Sequence, residues 1–194
     1  MESFRWIVLS YFIGAIPSGY IIGKVFYHVD LKKTGSGNIG ATNAYRERGV
    51  VAGFSVFICD LLKGFIAVHL GMPDPLIVLA CAIAAIVGND WSIFLHFKSG
   101  KGVACGVGAF AYISAPAVLC AFAVWLLVFK AKHIVSLSSI IAAPVVALVL
   151  LIEGASAEYV IFAALAAVIV IGKHKDNIQR LLKGEEKPII REKR

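Results

Sequence analysis

Charge is scarce in this chain. Only 16% of its 194 residues are Asp, Glu, Lys or Arg, whereas an ordinary soluble domain carries about 25%. With 59% hydrophobic residues and a mean hydropathy of +0.84, a water-soluble fold is excluded. Long polar stretches are missing as well. At about 20 apolar residues per crossing, the apolar runs allow roughly five to seven helical spans and leave almost nothing for a separate soluble domain. Any chemistry therefore sits in short loops or between helices. Cysteine is sparse too: Cys59, Cys81, Cys105 and Cys120 lie in or beside apolar segments, with no CxxC pair and no histidine at ligand spacing. That pattern excludes a disulfide framework and a zinc site, implies no metal, and leaves the thiols as small packing residues. Acids are outnumbered, 12 against 19 Lys and Arg, for a formal net charge of +7. The cations cluster on loops between apolar runs, so they are read as topology signals and not as a nucleic-acid surface.

What is present is a series of apolar runs at about 4–27, 50–71, 76–97, 103–129, 134–152 and 159–172. No small-residue cleavage site follows the first, which reads as a retained anchor and not a signal peptide. Cations occupy the connections 28–49 (Lys32, Lys33, Arg46, Arg48) and 98–102, the pair Lys130 and Lys132, and the tail with Lys173, Lys175, Arg180, Lys183 and Lys187. The connections 72–75 and 153–158 carry acids and no cation. By the positive-inside rule the basic loops are cytoplasmic. Six simple crossings would put Lys130 and Lys132 on the wrong side. Parity is restored if 103–129 crosses twice or dips and returns, breaking near Ser114, Ala115 and Pro116, because the residue before proline avoids the α conformation. Each half would then be ~12 to 14 residues, about 20 Å, short of a ~30 Å core unless the turn is buried in protein or the bilayer thins. The expectation is an all-α, polytopic integral membrane protein of about seven transmembrane or half-membrane helices. Its amino end lies outside and its carboxyl end in the cytoplasm. Residues 1–194 form a single membrane domain with a basic tail from about 173 to 194, and 187–194 lie on anionic lipid.

Three polar motifs fall on the cytoplasmic side. In the first loop, Gly35, Gly37 and Gly40 satisfy GxGxxG, but polar residues 30–34 precede them where a dinucleotide fold needs an apolar strand, and the chain has no room for a βαβ unit. Dinucleotide binding is rejected. The glycines still let backbone N–H groups turn toward an anion, Ser36, Asn38, Thr42 and Asn43 add neutral donors, and Arg46 offers a bidentate fork for phosphate. A flexible turn with incidental polar residues is the plainer alternative, and the density of donors argues against it.

The second motif, 97–103, leads from Phe97 through Lys98, Ser99, Gly100, Lys101 and Gly102 into an apolar helix. A Walker A loop would need Gly where Leu95 stands and Ser or Thr where Gly102 stands. Glycines beside Lys101 at a helix amino end nevertheless suit a phosphate. In the third motif, 174–185, three-residue spacing puts His174 and Asn177 on one helical face, and Gly184 is a stop signal. Ser136, Ser138 and Ser139 open the run at 134 and would ordinarily serve as helix caps. Within the membrane Asp60 and Lys63 stand three apart on one helical face. An ionisable group there costs ~2.5 kcal/mol or more at the bilayer centre, so the two are expected to pair, structurally more than functionally.

Taken together these residues resemble the bacterial membrane acyl-phosphate:glycerol-3-phosphate acyltransferases of the PlsY type, over nearly the whole chain. The matching elements are 35–43 (GSGNIGATN), 97–103 (FKxGKGV), 135–139 (VSLxS), 174–184 (HxxNIxRLLxG) and 60–64 (DLLKG). The resemblance implies transfer of an acyl chain from acyl phosphate to the 1-hydroxyl of glycerol 3-phosphate, giving lysophosphatidic acid and phosphate, in a seven-helix protein of the bacterial inner membrane. By matched position it implies an active-site set of Ser36, Arg46, Lys101, Ser139, His174 and Asn177. Ser36, His174 and Asn177 take the catalytic roles, while Gly37, Asn38, Thr42, Asn43, Arg46, Gly100, Lys101, Gly102 and Ser139 bind substrate. No cofactor is implied. Asn89, Ser99 and Cys105 depart from the usual His, Gly and Thr of the family. Acyl phosphate is already activated, so direct attack by the glycerol hydroxyl is favoured over a covalent Ser36 intermediate, with His174 or the donor's phosphate taking the proton. A small carrier of an organic phosphate is the rival from another class. It would call for internal repeats, and none is found.

Overall fold

The computed structural model describes residues 2–189, so the last part of the tail expected on lipid, 190–194, lies outside the described residues. Among the described residues every regular element is helical. The chain packs as two compact units, Met1–Ala109 and Phe110–Arg194. The first holds α1 (Glu2–Ala15), α2 (Ser18–Tyr27), α3 (Ala41–Arg48), α4 (Val50–Leu70), α5 (Pro75–Asp90), a 3-10 turn (Ile93–Leu95) and the start of α6 (Val103–Ile113). The second holds α7 (Ala115–Lys132), α8 (Val135–Ile152), α9 (Ala157–Lys173) and α10 (Lys175–Leu182).

Five segments are long and apolar enough to cross a bilayer: Ser3–Tyr27, Val50–Leu70, Pro75–Leu95, Ala115–Lys132 and Val135–Ile152. A sixth is the pair α9 and α10, bent by 60°, and α6 is a shorter apolar helix. The break expected inside 103–129 is found at Ser114, whose extended backbone and hydroxyl, accepting from Ala117 N at 3.2 Å, start α7 ahead of Pro116. The two pieces are unequal, however. α7 runs on to Lys132, 18 residues, until His133 turns left-handed, and only the 11-residue α6 is short. Its short backbone lies against protein: a Cβ at Gly64 would strike the Cys105 carbonyl, and one at Gly108 the Leu61 carbonyl.

The first apolar run is also broken, at Ile16 and Pro17. Backbone carbonyls freed inside a membrane must find donors, and here they do. Lys63 Nζ donates to Ile16 O at 2.5 Å and lies 2.6 Å from Asp60 Oδ1, while Ser92 Oγ donates to Ala15 O at 2.5 Å. The Asp60–Lys63 pair is thus tied to the helix break. Glycines let α1 lie close along α5, where Gly88 faces the Tyr11 carbonyl and Gly14 faces Ala85. The third run does not stay helical to 97 as expected. α5 stops at Asp90, and the Asn89 carbonyl, which a continuing helix would give to residue 93, accepts instead from Gly100 N at 2.9 Å.

Candidate active site

In the first loop the chain is anchored by apolar side chains before any polar group is placed. Leu31 and Ile39 are buried with Ala44, Ala52, Val56 and Leu95 in a small core beneath the loop. Burying a Leu or Ile is worth roughly 1.5–3 kcal/mol, enough to hold a polar, glycine-rich segment in one shape. Gly35 and Gly37 take φ of +57° and +71°, values that side chains disfavour. Asn43 then locks the turn: Nδ2 donates to Leu31 O and Thr34 O, both at 3.1 Å, and Oδ1 accepts from Ser36 N at 3.0 Å. Asn43 is buried and its amide is committed to the loop. Ser36 and Gly37, by contrast, are exposed at its tip. The sequence reading missed α3, which starts at Ala41 after the Gly40 cap and carries Thr42 and Arg46 four residues apart on one face.

The second loop is built on Asn89. Its carbonyl accepts from Gly100 N at 2.9 Å and its Oδ1 from Gly102 N at 3.3 Å, so one residue grips the backbone on both sides of Lys101. Gly100 leaves no room for a Cβ against Asn89 Oδ1, and Gly102 has φ +68° beside the buried Asp90. Asn89 therefore acts as an acceptor in a scaffolding position. Asn38 Nδ2 donates to Ser99 O at 3.1 Å while its Oδ1 accepts from Gly40 N at 2.8 Å. Because the loops are joined through a backbone carbonyl, the identity of the Ser99 side chain is of little consequence to the link. In the first unit the loop of Ser36, Gly37 and Asn38 is thus joined to the loop of Gly100, Lys101 and Gly102 through Asn38 and the Ser99 carbonyl, while Asn43 holds the first loop from beneath and Thr42 and Arg46 follow on α3.

In the second unit, His174 sits at the bend between α9 and α10 and is buried. Its Nδ1 lies 2.7 Å from Val170 O. A carbonyl can only accept, so Nδ1 carries a proton and donates it to Val170 O. Asn177 is buried in the first turn of α10, three residues on. The serines of α8 are not helix caps: Ile134 holds the cap position, Ser138 Oγ donates to Ile134 O at 2.9 Å, and Ser139 Oγ accepts from Trp125 Nε1 at 3.2 Å. Ser136 instead turns to the tail.

The sequence reading also missed Glu186. The α10 helix ends in a Schellman turn, with Glu185 N donating to Arg180 O at 2.7 Å, Gly184 N to Leu181 O at 3.1 Å and Gly184 at φ +71°. The chain reverses, and Ile189 N donates to His133 O at 2.8 Å. Glu186 Oε1 then accepts from Ser136 Oγ and Asn177 Nδ2, and Oε2 from Arg180 Nε, each at 2.6 Å. Burial works against ionisation, but these three hydrogen bonds and the guanidinium charge outweigh it and hold the carboxyl below the usual glutamate range. The only sequence signal was the Gly184 stop, which says that the chain turns but not onto what.

A sequence model of the family described as glycerol-3-phosphate acyltransferase matches residues 4–184. A glycerol-3-phosphate acyltransferase 2 of Moorella thermoacetica is 42% identical over 182 residues, 93% of this chain and 94% of the relative. A glycerol-3-phosphate acyltransferase of Fusobacterium nucleatum is 41% identical over 189 residues, covering 96% and 97%. Two crystal structures of PlsY (YgiH), an integral membrane glycerol 3-phosphate acyltransferase, are similar in fold. The glycerol 3-phosphate form has a TM-score of 0.93 at 35% identity, covering 97% of this chain and 96% of that one. The lysophosphatidic acid form has a TM-score of 0.90 at 33% identity, covering 97% and 95%.

Proposed function

This chain belongs to the PlsY-type glycerol-3-phosphate acyltransferase family, and from that premise we propose that it moves the acyl group of an acyl phosphate to the 1-hydroxyl of glycerol 3-phosphate, releasing lysophosphatidic acid and phosphate. The observation that carries the reading furthest is the paired-loop scaffold, in which Asn43, Asn89 and Asn38 hold Ser36 and Lys101 on ordered, glycine-turned backbone.

Two anionic substrates have to meet, and each needs its charge answered. Arg46 supplies a planar fork and Lys101 a point charge, a combination suited to phosphate oxygens. Ser36, held through its backbone at the loop tip, orients substrate by a hydrogen bond, with Gly37, Asn38 and Thr42 shaping the same loop. Asn43 acts from beneath it. Ser139 with Trp125 and the buried Asn177 serve substrate in the second unit.

In the chemical step the glycerol oxygen attacks the acyl carbonyl carbon, the new ester C–O bond forms, and the bond from that carbon to the phosphate oxygen breaks. Phosphate leaves with the electron pair. The hydroxyl proton passes to His174 or to the departing phosphate. Neither a cofactor nor a covalent acyl-enzyme enters this scheme. We place the protein in a bacterial inner membrane as a single catalytic domain, amino end outside, with the loops at 28–49 and 98–102 and the tail from about 173 facing the cytoplasm where water-soluble glycerol 3-phosphate is found.

Purified protein in detergent, given acyl phosphate and labelled glycerol 3-phosphate, tests this. Labelled lysophosphatidate with matching phosphate release is expected, and acyl-CoA should not substitute. Uptake of label into vesicles without acylation would identify a carrier and overturn the proposal.

A further inference from the structure

Neighbouring serines of α8 are treated differently by the fold. Ser138 Oγ returns its proton to its own helix, donating to Ile134 O at 2.9 Å. Ser139 makes no such bond. Among the described residues its hydroxyl oxygen accepts from Trp125 Nε1 at 3.2 Å, and its own proton is given to no acceptor. Ser139 is only 4% exposed, and a buried donor left without an acceptor costs free energy unless a ligand supplies one. The direction of the bond is fixed by chemistry. An indole N–H only donates, so it takes a lone pair of the serine oxygen and leaves Ser139 to act as a donor.

Trp125 is itself held face to face between Phe122 and Phe129, with ring centroids 6.1 and 4.9 Å away and planes within 6° and 14° of parallel. This stack runs along α7 away from its basic end, so that Phe122 lies about 15 Å from Lys132 along the helix axis. Phe122 is 56% exposed, which leaves the deep end of the stack open to hydrocarbon. A hydroxyl donor beside a column of apolar rings suits a ligand with an oxygen at the head of a hydrocarbon chain. Acyl phosphate has both parts, whereas glycerol 3-phosphate has no apolar part. We propose that Trp125 is a positioning residue for the acyl donor: by donating to Ser139 Oγ it commits the Ser139 O–H to an oxygen of acyl phosphate. The inference rests on the reading of Ser139 as a substrate-binding residue of an acyltransferase. One hydrogen bond is donated to the ligand, and no proton changes hands.

The test is a double-mutant cycle in the purified full-length protein, read as kcat/KM for acyl phosphate with glycerol 3-phosphate saturating. Trp125→Phe keeps an aromatic ring in the stack and removes the N–H. It should lower kcat/KM roughly three- to tenfold by raising KM for acyl phosphate, while KM for glycerol 3-phosphate stays as in the wild type. In a Ser139→Ala background the same substitution should cost nothing further, since the hydroxyl it orients is gone. Trp125→His, whose Nε2–H falls where the indole N–H stood, should keep more activity than Trp125→Phe. Thermal unfolding reads the fold of each variant. Should Trp125→Phe prove unstable, benzothienylalanine inserted at position 125 replaces the N–H by sulfur in a ring of the same shape, and the same loss is expected. Wild-type kinetics without the N–H, equal losses from Trp125→Phe in both backgrounds, or Trp125→His no better than Trp125→Phe would each overturn the inference. Failure of the wild-type protein to use acyl phosphate at all would instead overturn the functional reading beneath it.

Discussion

Asn38 Nδ2 donates to the backbone carbonyl of Ser99 at 3.1 Å, across sixty-one positions of sequence, and thereby joins a glycine-rich loop that carries Ser36 to a second that carries Lys101. Both loops are otherwise held from below, by Asn43 and by Asn89. The cross-link is what sets the spacing between their functional groups.

Asn38→Ala should therefore weaken glycerol 3-phosphate use without unfolding the protein. A neutral hydrogen bond is worth about 0.5–1.5 kcal/mol net, so kcat/KM should fall roughly three- to tenfold with little change in thermal midpoint. Ser99→Ala leaves the carbonyl in place and should be nearly silent, and an equal loss from both substitutions would contradict the link.

Arg46→Ala and Lys101→Ala should each cost about 1.5–3 kcal/mol of transition-state binding, roughly ten- to a hundredfold in kcat/KM. Gly100→Ala tests the scaffold instead of the charge. Its Cβ would collide with Asn89 Oδ1, so the loop must move and activity should fall although Lys101 is intact. Unchanged steady-state kinetics in any of these folded variants would count against the corresponding assignment.

Much of this arrangement was readable in advance, for definable reasons. Apolar runs announce spans because lipid offers the backbone no alternative partners, and cation parity located the break that Ser114 and Pro116 make. The equal halves expected there were not found, because Phe129 is not where α7 ends. The helix α3 escaped notice because only eight residues, amid glycine and polar groups, carry it. Asn43 looked like a ligand donor, and only the folded loop shows its amide spent on Leu31 and Thr34 carbonyls. Glu186 was invisible because its partners lie in α8 and α10, and nothing in a polar tail says which carboxylate will return to them.

Lys63→Met should destabilise strongly. It strands Asp60 and removes the donor to the Ile16 carbonyl at the helix break, and breaking a buried pair costs about 3–5 kcal/mol. Adding Asp60→Asn should recover part of that loss, since the stranded charge is gone. Thermal unfolding in detergent reads both, and a neutral Lys63→Met would show that the pair does not support the break.

Side-specific labelling checks the orientation. In a background without Cys59, Cys81, Cys105 and Cys120, single cysteines placed at Ser36, Lys132 and Lys175 should label from the cytoplasmic side, and those at Asp74 and Ser156 from the other. Labelling of positions 132 and 74 from the same face would contradict the arrangement of crossings.

Direct transfer between two bound substrates is tested most directly by mixing the enzyme with acyl phosphate alone, quenching within a turnover, and weighing the intact protein. No acylated species is expected, because Ser36 is assigned to orient substrate and the acyl phosphate is reactive enough for the glycerol hydroxyl to attack it unaided by a covalent intermediate. An acyl adduct on Ser36 that forms and decays as fast as turnover would contradict that scheme.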